Sequence, residues 1–131
     1  MINKYNHLQH NHVLDIIRSD SRGSCCITKS YGRFVEGTGS ILQTKGSMTD
    51  LEKVYEEVKG TEDDNLKLQL LKSLGLRFLS PKEIARLMGF PDDDFDFPSD
   101  HKTLHCYRVL GNSLNVDVVS KLLGLLFMEE V

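Results

Sequence analysis

Several residue types that mark particular protein classes are scarce in this sequence. Its 131 residues include no tryptophan, three prolines and three cysteines. The cysteines are Cys25, Cys26 and Cys106, and none of them has a partner at the C-x-x-C spacing of zinc and redox sites. With no secretory leader following Met1, this cysteine usage favours a reduced intracellular setting. We therefore expect a cytoplasmic or nuclear protein.

A basic surplus and a long apolar run are also missing. The net charge is −3 and the pI is about 5.9, so the overall charge is not that of a nucleic-acid-binding protein. Any basic surface must be local: residues 18–45 carry five bases against two acids, whereas residues 50–64 carry two against seven. No unbroken apolar run approaches the roughly 18 residues of a membrane span. A globular protein without membrane association is expected.

Local patterns predict a mainly helical chain with short strands. Residues 13–18 favour a short helix, and residues 25–42, with their β-branched residues and glycines, favour short strands and tight turns. Residues 50–58 predict a helix with Thr49 as its N-cap, and residues 65–73 predict a second one.

The clearest helix signal begins at Ser80. Glu83 follows three residues later, which is the spacing of a capping box, and Gly89 ends the pattern. Residues 115–127 predict a last helix with apolar side chains at core spacing, preceded by a turn at residues 111–113.

Two features allow alternative interpretations. His7, His10 and His12 could form a metal site or belong to a loop, and the loop is favoured because no cysteine or carboxylate lies at ligand spacing. Residues 80–89 could be half of a helix-turn-helix that reads DNA. The second helix is replaced by residues 92–98, whose four carboxylates would repel phosphate. A stand-alone DNA reader is therefore the weaker alternative.

Three sequence blocks match motifs of a known family. Residues 77–91 fit the pattern R-x-L-(S/T)-P-(R/K)-E-x-A-R-L-x-G-F-P, and residues 107–116 contain G-N-S. The first block resembles a motif of cytosine-5 methyltransferases, and the second resembles the block that completes their methyl-donor pocket. Residues 26–40 are similar to C-F-T-K-x-Y-G-x-x-x-E-G-T-G-S of the tRNA-directed branch, historically classed as a type 2 DNA methyltransferase. Ile27 stands where that branch has Phe. The resemblance covers most of residues 13–128.

This resemblance implies transfer of a methyl group from S-adenosylmethionine to carbon 5 of a cytosine in a tRNA anticodon loop, chiefly that of tRNA-Asp. In the family, a cysteine that follows a proline attacks the flipped base, and a glutamate in E-N-V engages it. The three prolines here precede Lys82, Asp92 and Ser99, and no E-N-V is present. We therefore expect no catalytic residue in this chain and no activity from it alone.

The resemblance also implies a fold. The chain would be the C-terminal portion of an α/β methyltransferase. Residues 1–75 would form the distal part of the target-recognition lobe. Residues 76–131 would form a return segment that carries the closing motifs and a helix that normally packs on a Rossmann-like sheet.

The implied site residues fall into three groups, and no metal is implied. The residues that would line one side of the S-adenosylmethionine pocket in the full-length enzyme are Asn112, Ser113 and Leu114. Those that would lie at or near the tRNA-facing surface are Cys26, Thr28, Lys29, Tyr31 and Arg33. Those that would buttress the recognition lobe are Arg77 and Glu83.

The implied partners are tRNA and the catalytic lobe. Deprived of that lobe, the closing helix would expose leucine and valine side chains to another copy or another protein. The alternative function is therefore a non-enzymatic interaction or tRNA-binding module.

Overall fold

The computed structural model describes residues 14–128 and shows two compact units within them. The histidine-rich stretch at residues 7–12, with its two interpretations, lies outside the described residues. Unit 1 contains residues 14–26 and 34–78, and unit 2 contains residues 27–33 and 79–128.

A three-stranded sheet lies in unit 1. Strand β1 (Ile16–Ile17) is parallel to β2 (Ile41–Gln43), which is antiparallel to β3 (Leu76–Phe78). The short helix expected at residues 13–18 is therefore wrong. Two consecutive β-branched side chains favour the extended backbone, and Ile16 pairs with the fully buried Ile41 across the ladder.

Both helices predicted for unit 1 are present. Helix α1 spans Met48–Gly60 and α2 spans Asp64–Ser73. The N-cap of α1 is Ser47 and not Thr49. The Ser47 hydroxyl accepts the Asp50 N–H at 3.2 Å, while the Asp50 carboxylate accepts the Ser47 N–H at 2.7 Å. This reciprocal pair satisfies two N–H groups that the first helical turn leaves without partners.

Unit 2 contains three helices: α3 (Pro81–Leu87), α4 (Thr103–Gly111) and α5 (Val116–Met128). The capping box predicted at Ser80 is confirmed, because its hydroxyl accepts the Glu83 N–H at 3.2 Å and the Glu83 carboxylate accepts the Ser80 N–H at 2.7 Å. The core of the unit consists mainly of residues from α3 and α4: Leu79, Ile84, Ala85, Cys106, Tyr107 and Leu110.

The last helix is the one predicted at residues 115–127, but none of its residues is buried. Its apolar spacing is that of a core helix, so within the described chain it has a face without a partner. By length and composition alone, Thr103–Met128 is apolar enough to cross a membrane. That is weak evidence, because α4 ends at Gly111 and its buried face packs in unit 2. A helix that packs on another protein surface has the same composition.

Candidate functional site

Two buried tyrosines fix the segment at residues 27–33 within unit 2. Tyr31 is 0% exposed, and its ring lies 5.0 Å from the Tyr107 ring in an edge-to-face arrangement. The Tyr31 hydroxyl accepts the Leu79 N–H at 2.8 Å, and the Tyr107 hydroxyl donates to the Leu79 carbonyl at 2.6 Å. Both backbone polar groups of the buried Leu79 are thereby satisfied by the pair.

Glycines allow the close approach of this segment to α4. Gly32 has φ +79°, and a Cβ atom there would lie 2.7 Å from the Tyr107 ring. A Cβ atom on Gly111 would lie 2.5 Å from the Thr28 carbonyl oxygen, and closer still to the Lys29 nitrogen. Because those neighbours are backbone atoms, they cannot rotate away as a side chain could. The contact therefore requires glycine at position 111.

A cleft opens where the segment at residues 27–33 meets α4. It encloses about 550 Å³, and the residues that line it are Lys29, Ser30, Arg33, Leu104, His105 and Arg108. Three of these side chains are cationic and, within the described part of the chain, no carboxylate lines the cleft. The cleft is thus a local basic surface on a chain whose net charge is −3. It can accept an anionic ligand such as a phosphate group.

Only some of the residues expected to face tRNA lie in the cleft. Lys29 and Arg33 line the cleft, and Thr28, half-buried, lies against Gly111. Cys26 is exposed and belongs to unit 1. Tyr31, expected at or near this surface, is not itself exposed, because its ring and hydroxyl are used in the core of unit 2.

The three residues expected to face the methyl donor lie in the turn between α4 and α5, and all three are exposed. The Asn112 N–H donates to the carbonyls of Arg108 and Val109, and the Ser113 hydroxyl donates to the Leu110 carbonyl at 2.9 Å. Within the described chain, the side-chain amide of Asn112 forms no hydrogen bond.

The far side of this turn is tied to the end of α3. The Val116 N–H donates to the Met88 carbonyl at 2.7 Å, and the Asn115 amide donates to the Leu87 carbonyl at 3.2 Å. The turn therefore presents an amide and the 54% exposed Leu114 on a fixed backbone. These groups fit one wall of a site for a ligand with polar and apolar edges.

Arg77 and Glu83, the two residues expected to buttress the recognition lobe, lie in different units. Arg77 lies on β3 in unit 1 and donates to the Phe78 carbonyl at 3.0 Å. Glu83 lies in unit 2 and caps α3. Glu83 therefore has a local structural role at the start of that helix.

The thiols of Cys25 and Cys106 are poor candidates for a nucleophile. Burial raises the pKa of the Cys106 thiol, and hydrogen bonding to Asp15 raises the pKa of the Cys25 thiol. Both effects disfavour the thiolate, which is the reactive form.

Asp15, Cys25 and Ser40 form a hydrogen-bonded cluster in unit 1. The Ser40 hydroxyl donates to Asp15 and lowers the pKa of the Asp15 carboxyl group, while the Cys25 N–H donates to the Ser40 hydroxyl at 2.8 Å. The cluster joins the start of β2 to two loop positions in unit 1.

Leu104, His105 and Arg108 are not predicted as site residues from the sequence. A signal was available, since Arg108 lies four positions after Leu104 and three after His105, and side chains at these spacings are neighbours on a helix surface. It was missed because no helix is predicted over residues 103–111. The structure forms α4 there without a side-chain cap, as Lys102 at the N-cap makes no side-chain hydrogen bond.

Comparison with known proteins finds one family model and several methyltransferases that are similar to this chain. The model of the C-5 cytosine-specific DNA methylase family matches residues 2–127. The tRNA (cytosine(38)-C(5))-methyltransferase of Bos taurus is 47% identical over 114 residues, which are 87% of this chain and 28% of the bovine protein. The human protein of the same name is 45% identical over 117 residues, 88% of this chain and 29% of that protein. The chain thus spans less than a third of the length of these relatives.

Solved structures resemble the chain as well. A crystal structure of a Spodoptera frugiperda DNMT2 mutant superposes with a TM-score of 0.82 at 39% identity, covering 88% of this chain and 34% of that one. The crystal structure of the Schizosaccharomyces pombe Dnmt2 methyltransferase superposes with a TM-score of 0.69 at 37% identity, covering 98% of this chain and 35% of that one.

Proposed function

The chain belongs to the C-5 cytosine-specific DNA methylase family, and from that premise we propose that it is the tRNA-recognising and closing portion of a tRNA cytosine-5 methyltransferase. The observation that carries this proposal is the basic cleft between residues 27–33 and α4. One wall of the cleft belongs to the block that resembles the tRNA-directed branch. The other belongs to α4, whose Arg108 lies in the block that contains G-N-S.

Lys29 and Arg33 would contact the phosphate backbone of the RNA. Their charges are local and solvent-exposed, and phosphate neutralisation by such groups supplies most of the affinity of a non-specific nucleic-acid contact. Cys26 and Thr28 would lie near the RNA. Tyr31 would act indirectly, since its buried ring fixes the backbone from which Lys29 and Arg33 project.

The proposed cofactor is S-adenosylmethionine, which supplies the methyl group in this family. Asn112 would offer its amide to a polar edge of the cofactor, and Leu114 would contact an apolar one. The support is that both side chains are exposed on a turn whose two ends are hydrogen-bonded to α3 and α4. These residues make one wall only, so we do not expect tight cofactor binding by this chain alone.

The chain alone would be inactive. The Pro-Cys and E-N-V sequences on which the family's chemistry depends do not occur in it. The raised thiol pKa values of Cys25 and Cys106 support the view that neither substitutes for the missing nucleophile. Catalysis would require a catalytic lobe that carries both sequences.

We assign residues 1–75 to the distal recognition lobe and residues 76–131 to the return segment. The exposed apolar side chains of α5 would be covered by the sheet of the catalytic lobe. This would explain why the apolar side chains of α5 are spaced as in a core helix although none of its residues is buried. The proposed RNA substrate, chiefly tRNA-Asp, implies a cytoplasmic or nuclear location.

A fluorescence titration of the full chain with tRNA tests the proposal. We expect binding that weakens steeply as salt rises, because each neutralised phosphate releases counterions. Replacing Arg33 with glutamine should weaken binding and reduce the salt dependence. Replacing Lys53 with glutamine on the exposed surface of α1 is the matched control and should change neither. No salt-dependent association at low ionic strength would refute the proposal, and tighter binding to duplex DNA would favour a DNA reader instead.

The second candidate function is an interaction module, favoured by the unpartnered face of α5. Leu122, Leu125 and Leu126 are 55%, 64% and 66% exposed. Neighbouring apolar side chains with this much exposed surface can drive self-association. Light scattering over a concentration series would show a growing particle mass if this function holds, and a constant monomer mass if it does not.

A further inference from the structure

We propose that the cleft in unit 2 holds one unpaired nucleotide of the bound RNA, its phosphate against Arg33 and Arg108 and its base against His105 and Leu104. This inference deepens the proposed function and rests on it. It assigns binding residues on α4 and specifies the RNA conformation that the surface accepts.

The size of the cleft fits such a ligand. Its volume of about 550 Å³ lies within the range of roughly 300–1,000 Å³ found for small-molecule sites. A flat electrostatic patch would contact phosphates without a concave volume. A duplex keeps its bases stacked, so only a splayed nucleotide can place a base inside a cleft.

The charges are placed on both walls. Lys29 and Arg33 come from one wall and Arg108 from the other, so a phosphate between them would meet cations from two sides. Guanidinium groups match phosphate oxygens with paired N–H donors, which gives geometric selectivity in addition to charge.

The apolar and aromatic side chains are adjacent to the charges. Leu104 is 51% exposed in the cleft wall, and His105 follows it on the same helix. Imidazole rings stack on unpaired bases in RNA-binding proteins. The His105 ring already lies 4.7 Å from that of His101 in an edge-to-face arrangement, which restricts the directions it can adopt. The Ser30 hydroxyl adds a group that can hydrogen-bond to a base edge or to a ribose 2′-hydroxyl.

The walls are held in place before any ligand binds. The Tyr31–Tyr107 pair and the close contact at Gly111 attach residues 27–33 to α4 from inside the unit. Little conformational entropy would then be lost on binding, apart from that of the exposed side chains themselves.

Substitution at His105 separates stacking from simple attraction to phosphate. With the full chain and a short single-stranded oligoribonucleotide, we expect His105→Ala to weaken binding about 5- to 160-fold, the range found when one stacked base loses its platform. His105→Phe should retain affinity within about threefold, because it keeps an aromatic face. Duplex RNA of the same sequence should bind more weakly than the single strand.

The outcomes distinguish this inference from the proposed function. If tRNA binds with salt dependence but His105→Ala binds as tightly as the parent chain, the nucleotide site is refuted and tRNA recognition stands. Equal losses in His105→Ala and His105→Phe, or equal affinity for duplex and single strand, also refute it. If no RNA binds, both proposals fail. His105 is exposed, so circular dichroism should show an unchanged fold in both variants.

Discussion

Replacing Gly111 with alanine should destabilise unit 2, although alanine is the better helix former. The new methyl carbon would lie 2.5 Å from the Thr28 carbonyl oxygen, whereas ordinary van der Waals contacts begin at 3.4 Å. Overpacking of this kind typically costs about 1–3 kcal/mol, occasionally more. Higher helix propensity would return at most about 1 kcal/mol. We expect a net decrease in the free energy of unfolding.

The same replacement at Gly124 is the matched control. Gly124 lies in α5 of the same unit, and a Cβ atom there would have no heavy atom within 4 Å. Gly124→Ala should therefore leave the free energy of unfolding unchanged or raise it by up to about 1 kcal/mol. Urea denaturation followed by circular dichroism measures both variants. A Gly111→Ala variant as stable as Gly124→Ala would refute the close contact between α4 and residues 27–33.

Three further changes test other parts of the structure. Tyr107→Phe removes the donor to the buried Leu79 carbonyl, and chemical denaturation should show that the free energy of unfolding falls by about 1–3 kcal/mol. An unchanged denaturation midpoint would contradict the hydrogen bond. Ser80→Ala removes the cap of α3 and should lower the free energy of unfolding by about 1 kcal/mol in the same assay. Ser80→Asp is expected to preserve the cap. The Ser40 hydroxyl lowers the pKa of the Asp15 carboxyl group, so the ionised carboxylate stabilises the folded chain. This contribution is fully present above the ordinary aspartate pKa of about 3.9 and is lost as the pH falls through the lower pKa of the folded state. Carbon-detected NMR titration should show the Asp15 pKa rising in Ser40→Ala, and an unchanged pKa would contradict this cause.

Helices with strong local signals are predictable from this sequence. The cap at Ser80 and the periodicity of residues 65–73 depend on neighbours within one or two turns, and both appear in the structure. Strand β1 is missed because its conformation depends on Ile41, which lies 25 positions away in the chain and pairs with Ile16. The same limit explains α4, whose start lacks a capping side chain and whose stability comes from buried contacts of Tyr107 and Leu110.

The candidate site is predictable only in part. The resemblance of residues 26–40 identifies Lys29 and Arg33, but it does not distinguish them from Tyr31, which is conspicuous in the motif and buried in the fold. His105 and Arg108 become site residues only when α4 is placed beside residues 27–33. That placement depends on Gly111, whose missing side chain makes the contact possible.

We expect tRNA to bind at the cleft between residues 27–33 and α4. Backbone amide chemical-shift mapping of the full chain, titrated with tRNA at low salt, tests it most directly. We expect the largest perturbations on residues 29–33 and 104–108, and we expect the amides of α1 and α2 to remain unchanged. Perturbations centred on α1 or α2, or none at a tRNA concentration that saturates the fluorescence titration, would contradict it.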